Sequence, residues 1–208
     1  NALKPDAKEL EKEPFWLNRR IIVVGKDQKH LGTVLWPKFA KRGAFKMIRD
    51  LETGAFRAYR PLIEPERESE AKPAPPLIHK SDIALNGMSW ENKSLGIPTS
   101  CRLKNGTEFW FFTGLAEPPY GADVDMVHFD EEIRGESWYS EMLARLLDRR
   151  GRLIWSATPE NATQALWDLS ERADTEGAGP DAVVRKFFFH IDWNPHIQSE
   201  SKKQFFDS

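Results

Sequence analysis

Three carboxylates in a row, Asp130, Glu131 and Glu132, close a mostly apolar run that extends from Val124 to Ile133. Side chains of a strand alternate between its faces, so Asp130 and Glu131 point in different directions although they are neighbours. One acid can then face a bound cation while the other faces a water molecule about to attack. Nucleotide hydrolysis needs that division: one acid to hold the hydration shell of Mg2+, and a second to orient and deprotonate the nucleophile. The plainer alternative is a strand that leaves the core through a solvated acidic turn.

Such a pair works only on a scaffold that fixes it, and the flanking sequence predicts an α/β one. Arg20–Gly25 is apolar on both faces, the pattern of a central parallel strand. Asp27 is placed to cap a helix with Leu31, Val34 and Leu35 as its buried stripe and Pro37 near its end. Residues 137–150 predict a second helix, with Trp138, Met142, Leu143, Leu146 and Leu147 facing inward and Gly151 just past its end. Arg152 to Pro159 predicts another central strand that ends in Ser156-Ala157-Thr158. Asn161 would cap a helix to about Arg172, and Val183–Ile191 would form one more strand. Asn105-Gly106 predicts a tight hairpin with both residues at positive φ, its second strand being the aromatic run Phe109–Phe112. A smaller hairpin is expected around Glu52-Thr53-Gly54, and the five prolines between Pro61 and Pro76 mark a surface insertion over 60–81.

Ligands of open α/β sheets lie beyond the carboxyl ends of the strands. Gly25-Lys26-Asp27, Asp130-Glu131-Glu132 and Ser156-Ala157-Thr158 all end strands and would face one crevice. The Asp130–Glu131 pair matches the second nucleotide-binding motif of P-loop ATPases, called Walker B. Short hydroxyl side chains one helix later could sense a γ-phosphate and pass its loss to the helix that follows.

Bulk composition sets the limits. The chain has 208 residues, 40% of them hydrophobic and 30% charged, with eight Trp and thirteen Phe, enough for one substantial core. A net charge of −2 excludes nucleic-acid binding by bulk positive charge, although local basic patches remain open. A single cysteine, Cys101, excludes a disulfide framework and a cysteine-based zinc site, and fits a reducing compartment. No apolar run reaches the length of a membrane span, so no membrane partner is expected.

In the order and spacing of its segments the sequence resembles the large terminase subunit of tailed double-stranded DNA bacteriophages, the DNA-packaging motor. The resemblance rests on Arg20–Gly25 with Val34-Leu35-Trp36-Pro37, on Asn105–Gly114, on Val127–Glu132, on Leu153–Pro159 and on Asp192–His196. It implies a P-loop NTPase-like fold of RecA type: a mainly parallel sheet flanked by helices, with a β-hairpin and a Pro-rich surface insertion. It further implies an ATPase domain over 1–198, with 199–208 opening a linker toward a nuclease domain. Asp130 would hold the Mg2+ of ATP, Glu131 would be the catalytic carboxylate, Ser156, Ala157 and Thr158 would form the coupling motif, and Asn194 would border the adenine. Double-stranded DNA, the small terminase subunit and the portal protein of the procapsid are the implied partners. A homo-oligomeric ring is the implied assembly, with a monomer open for the isolated chain, and the infected bacterial cytoplasm is the implied location.

The sequence departs from the family in one large respect. It contains no Gly-x-x-x-x-Gly-Lys-Ser/Thr, so a chain that begins after the phosphate-binding loop, and that alone binds ATP weakly and hydrolyses little, is the expectation. Gly25-Lys26 is a poor substitute, and Tyr120 stands before Gly121 where many relatives place an arginine. Arg134 and Arg145 are candidate fingers by position only, with solvated or dipole-pairing roles as their alternative. His128 reads as a hydrogen-bonded core histidine, and Asp123 and Asp125 as strand-entrance residues. Lys38, Lys41, Arg42, Arg149, Arg150 and Arg152 could meet DNA phosphates or cap helix ends in solvent. A non-catalytic ATPase-like binding module and a helicase-like ATPase fragment are the alternative functions. A metal nuclease lacks carboxylates from other strands.

Overall fold

A computed structural model describes residues 18–133, 135–158, 163–177 and 182–187. The chain divides into two compact units. One comprises Ile78–Asp168 with the chain up to Ala40, and the other comprises Lys41–Leu77 with the chain from Leu169.

The first unit is an α/β sheet of six strands. These are β1 (Arg20–Gly25), β5 (Ile83–Asn92), β6 (Ile97–Leu103), β7 (Glu108–Thr113), β8 (Met126–Asp130) and β9 (Arg152–Ser156). They lie in the order β5-β6-β7-β1-β8-β9, with β7, β1, β8 and β9 mutually parallel and the β5-β6-β7 pairings antiparallel. β1 is central and apolar on both faces because helices cover both. On one face Ile22, Val24, Val127 and Phe129 pack with Trp138, Met142 and Leu146 of α2 (Glu136–Leu147). On the other, Val23, Phe111 and Cys101 pack with Leu31 and Leu35 of α1, which spans 28–40. Burial pushes the Cys101 thiol up to about 11, so the only cysteine is a protonated core group.

The helix α1 is three segments joined end to end: Gln28–His30, a π-helical Leu31–Leu35 and Trp36–Ala40. Asp27 caps it as its side chain accepts from the His30 N–H. The helix runs through Pro37 rather than ending there. Proline has no N–H and its ring crowds the carbonyl four residues back, so the helix widens before it, and Trp36 N–H reaches back to Leu31 O. The wider turn leaves Leu31 and Leu35 buried but turns Val34 outward to 38% exposure, against the expected three-residue stripe.

Other sequence expectations shift in similar ways. Leu143 and Leu147 of α2 are exposed, because one sheet face admits only the Trp138-Met142-Leu146 stripe. It is Arg150, at φ 50°, that takes the left-handed conformation after α2. Gly151 is needed for closeness instead, since a Cβ there would meet Asp125 O at 2.7 Å and Val124 O at 2.8 Å. The β6–β7 hairpin has only Gly106 at positive φ (84°). Leu103 N–H bonds Thr107 O around a three-residue loop, and the Asn105 side chain accepts from Thr107 N–H instead of adopting a left-handed backbone. β5 lacks a clear sequence signal, being half-buried and interrupted by register shifts. The third helix, α3 (Gln164–Glu176), runs beyond Arg172, and Asn161 lies outside the described residues. The predicted strand at 183–191 is not formed over Val183–Phe187: Val183 and Val184 N–H groups bond Glu176 Oε2, and the remainder lies outside the described residues.

The second unit holds the expected small hairpin, β2 (Lys46–Arg49) with β3 (Phe56–Ala58). A short strand, β4 (Lys72–Pro73), joins β2 from within the proline-rich stretch. Glu64 organises it. This carboxylate is nearly buried and takes two N–H groups from Arg57 and one from Arg67, which hold it down to about 2. Asp50, bonded by Thr53 and Arg57, is held still lower. A depressed carboxyl pKa contributes stability above its unfolded value and loses it as pH falls through the folded one. Amide protection of Ile48 and Tyr59, followed by hydrogen exchange, is therefore expected to be constant above about pH 4.5 and to fall as pH drops toward 2. Glu64→Gln should flatten that profile.

Candidate active site at the carboxyl ends of the parallel strands

The register of the four parallel strands aligns one row of residues at their carboxyl ends: Thr113, Gly25, Asp130 and Ser156. The connections leaving that row run to opposite sides of the sheet. The chain leaving β1 returns to the sheet through β5, β6 and β7 on one side, whereas the chain leaving β8 returns at β9 on the other. The crevice of an open α/β sheet opens at such a reversal, and Asp130 stands beside it.

Alternation puts Phe129 in the α2-side core and His128 and Asp130 on the α1 side. Gly25 lets α1 close over this end of the sheet, since a Cβ there would already meet Leu31 and Leu35 at 3.1 Å. The first turn of α1 thereby brings His30 Nε2 to 3.3 Å from Asp130 Oδ2. The other oxygen, Oδ1, accepts from the Ser156 hydroxyl at 2.7 Å, and Ser156 Oγ lies 3.0 Å from His128 Nε2. Asp130 is 9% exposed; one of its carboxylate oxygens accepts from Ser156 and the other lies against the His30 ring, so neither faces an apolar surrounding alone.

Hydrogen-bond logic assigns the protons. The hydroxyl hydrogen of Ser156 goes to Asp130, so His128 donates its Nε2–H to Ser156 Oγ. Burial lowers the His128 pKa, Lys38 lowers it further, and Asp130 pulls the other way. A histidine donating to a serine whose proton is already committed cannot activate that serine as a nucleophile. The Ser156–His128 pair is therefore a support for Asp130 and not a hydrolytic dyad.

Glu131 follows at φ 70°, a left-handed conformation that a glutamate adopts at a cost. Its backbone is clamped on both sides: its N–H bonds Ser156 O at 2.7 Å and its carbonyl accepts Trp155 Nε1–H at 3.0 Å. The clamp turns the side chain away from Asp130 toward β9, where Oε2 accepts from Thr158 N–H at 3.4 Å. The two acids thus have separate surroundings, as their strand spacing predicts, but the separation comes from the turned backbone and not from alternation alone.

Of the sequence-derived site, Asp130, Glu131, Ser156 and Thr158 come together. Ala157 lies between the last two and has only its backbone to offer. Asn194 and Arg134 are outside the described residues. Arg145 pairs with Glu141 along α2. Asp125 sits at the opposite end of β8, bonded by Arg19 and the Arg20 N–H and 3.6 Å from Arg149. That arrangement places Asp125 away from the chemistry and gives Arg149 an acidic neighbour. His30 is the residue that sequence reading passed over. Its only signal is its place three residues after the cap Asp27, where the first helical turn returns above the strand end.

The Gly25-Lys26-Asp27 turn is tied to the first turn of α1 at both Lys26 and Asp27. Lys26 N–H bonds His30 Nδ1 at 3.3 Å and His30 N–H bonds Asp27. A hollow of about 130 Å³ lies against Lys26, Asp27, Gly114 and Glu132, too small for a nucleotide. The larger cavity, about 580 Å³, is lined by Gln28, Trp110 and Thr113 among others, but by neither Asp130 nor Glu131.

No family model matches the chain, and no curated protein or solved structure matches it either. Among the described residues, no helix is long and apolar enough to cross a membrane.

The strain at Glu131 can be measured. Glu131→Gly and Glu131→Ala both remove the carboxylate, yet only glycine accepts φ 70° freely. Denaturant unfolding should find the glycine variant more stable than the alanine variant by about 1 kcal/mol. Equal stabilities would place residue 131 in an ordinary backbone conformation.

Proposed function

We propose that this chain is the ATP-hydrolysing part of a DNA-packaging motor, a terminase large subunit with a P-loop NTPase-like sheet. In this role it moves double-stranded DNA into a procapsid with the small subunit and the portal protein as partners. The observation that carries the proposal is the joining of Asp130 and Ser156 by a hydrogen bond at the carboxyl ends of adjacent parallel strands, with Glu131 clamped between those strands and aimed elsewhere.

The donor set suits a magnesium ion that arrives with its nucleotide. Mg2+ takes one or two carboxylates and completes its shell with phosphate oxygens and water. Among the described residues no three acidic, histidine or cysteine side chains converge as a dedicated cage. Asp130 is the group that would hold the ion, which when bound neutralises charge on the transferring phosphoryl oxygens. Glu131 accepts the Thr158 N–H on one oxygen, and its other oxygen is suited to orient and deprotonate a water. Ser156 ties the end of β9 to Asp130, so a change at that carboxylate is passed to β9 and to the chain beyond it.

A second reading has its own support. The Lys26 N–H that follows β1 is taken by His30 within the chain and not turned to a ligand, as in an ATPase fold used only for docking. Turnover separates the two. ATP hydrolysis by the 208-residue chain should be near background, and a version lengthened at its N-terminus to carry a phosphate-binding loop should hydrolyse ATP. Glu131→Gln in that longer version should lower kcat by about 10²–10⁴-fold. Rapid hydrolysis by the shorter chain would contradict the need for the loop, and retained activity in the Gln variant would overturn the motor reading.

A further inference from the structure

Every oxygen of Asp130 is already engaged, and the partner on Oδ2 is the one that no nucleotide motif explains. His30 stands between two groups of fixed polarity. On one side, Lys26 N–H can only donate, so His30 Nδ1 must be the acceptor. On the other, Asp130 Oδ2 can only accept, so His30 Nε2 must carry the hydrogen. The neutral Nε2–H tautomer satisfies both contacts at once. The ring is held on a third side by the helix itself, whose first turn is locked by Asp27 on the His30 N–H.

We propose that His30 is a positioning residue: through its Nε2–H it fixes the orientation of the Asp130 carboxylate and links that orientation to the backbone of the β1–α1 turn. The proposal rests on the reading of Asp130 as the cation-facing acid. Ser156 alone holds only Oδ1, leaving the carboxylate free to rotate about its Cβ–Cγ bond. His30 on Oδ2 removes that freedom, so the remaining lone pairs of both oxygens point into the crevice in one arrangement. The same contact makes the Lys26 amide part of the carboxylate's support. A shift of the turn and a shift of Asp130 cannot then occur separately.

Groups that orient a metal-binding side chain from behind typically contribute 10–100-fold to metal affinity. The test uses Mn2+ together with ATP at saturating concentration as the probe, its binding to the chain followed by electron paramagnetic resonance, with far-ultraviolet circular dichroism as a folding control. Asp130→Asn should abolish the binding, His30→Ala should weaken it by about 10–100-fold, and His30→Gln, which keeps an N–H donor of similar reach, should recover most of the loss. Wild-type affinity in a folded His30→Ala variant would overturn the proposal and leave the ATPase reading standing. Mn2+ binding that ignores Asp130→Asn, or no binding by the wild type, would overturn the reading of Asp130 and the proposal with it. Ring nitrogen spectra of ¹⁵N-labelled wild type give a check that no variant can spoil. They should show neutral His30 protonated at Nε2 and bare at Nδ1, and the opposite tautomer overturns the proposal outright.

Discussion

A carboxylate buried at the end of a parallel strand must be solvated by the protein or it will not stay charged. Asp130 is in that position, and the hydrogen bond from Ser156 and the His30 ring 3.3 Å away stand in for the water it has lost. Each of those two donors makes its own demand. Ser156 has to lie opposite Asp130, which fixes the β8–β9 register to the residue. His30 has to sit over the strand end, which brings α1 so close that a Cβ at position 25 would press on Leu31 and Leu35 at 3.1 Å. The cost of burying one charge is in this way distributed over two strands and a helix.

The second acid is governed by backbone geometry. Glu131 cannot both continue β8 and reach β9, and the left-handed turn resolves the conflict locally. Strain of this kind persists only where surrounding contacts outweigh it, and here they are the Ser156 carbonyl and the Trp155 indole. Trp155 also packs edge-on against Phe129 with ring centroids 5.1 Å apart, so the core on the α2 side anchors the clamp. Asp130 is thus supported from the α1 side and Glu131 from the α2 side, and the sheet between them keeps the two environments distinct.

The strands and the acidic pair were legible in the sequence because both follow from local rules. A run such as Ile21-Ile22-Val23-Val24 admits few other structures, and carboxylates after an apolar strand mark its exit from the core. Facts that depend on partners distant in sequence were not legible. Nothing near His30 announces Asp130, a hundred residues away, and nothing near Glu131 announces a positive φ. β5 escaped because its register is broken by shifts and its alternation runs only from Met88 onward, too short a stretch to stand out in the sequence. Helical spacing places Val34, Leu143 and Leu147 inward, but the π-helical turn swings Val34 out and the sheet face admits a narrower stripe of α2 than spacing alone allows. His128 was read as a core histidine satisfied by hydrogen bonding. It is bonded, although its partner Ser156 belongs to the site.

The π-helical turn of α1 carries a consequence for how this chain tolerates change in length. Such a turn accommodates one residue more than an α-helix would over the same rise, so removing one residue from 31–35 would cost no length and leave a better-formed helix. The phase would be nearly kept as well, because the widened turn takes up its extra residue within a single turn of the helix. His30 would stay over Asp130 while Leu35 and Trp36 keep their faces toward the core. A single-codon deletion there is therefore expected to preserve both the helix content and the contact between His30 and Asp130. The irregular turn is the place where this helix can lose a residue and keep both of its ends.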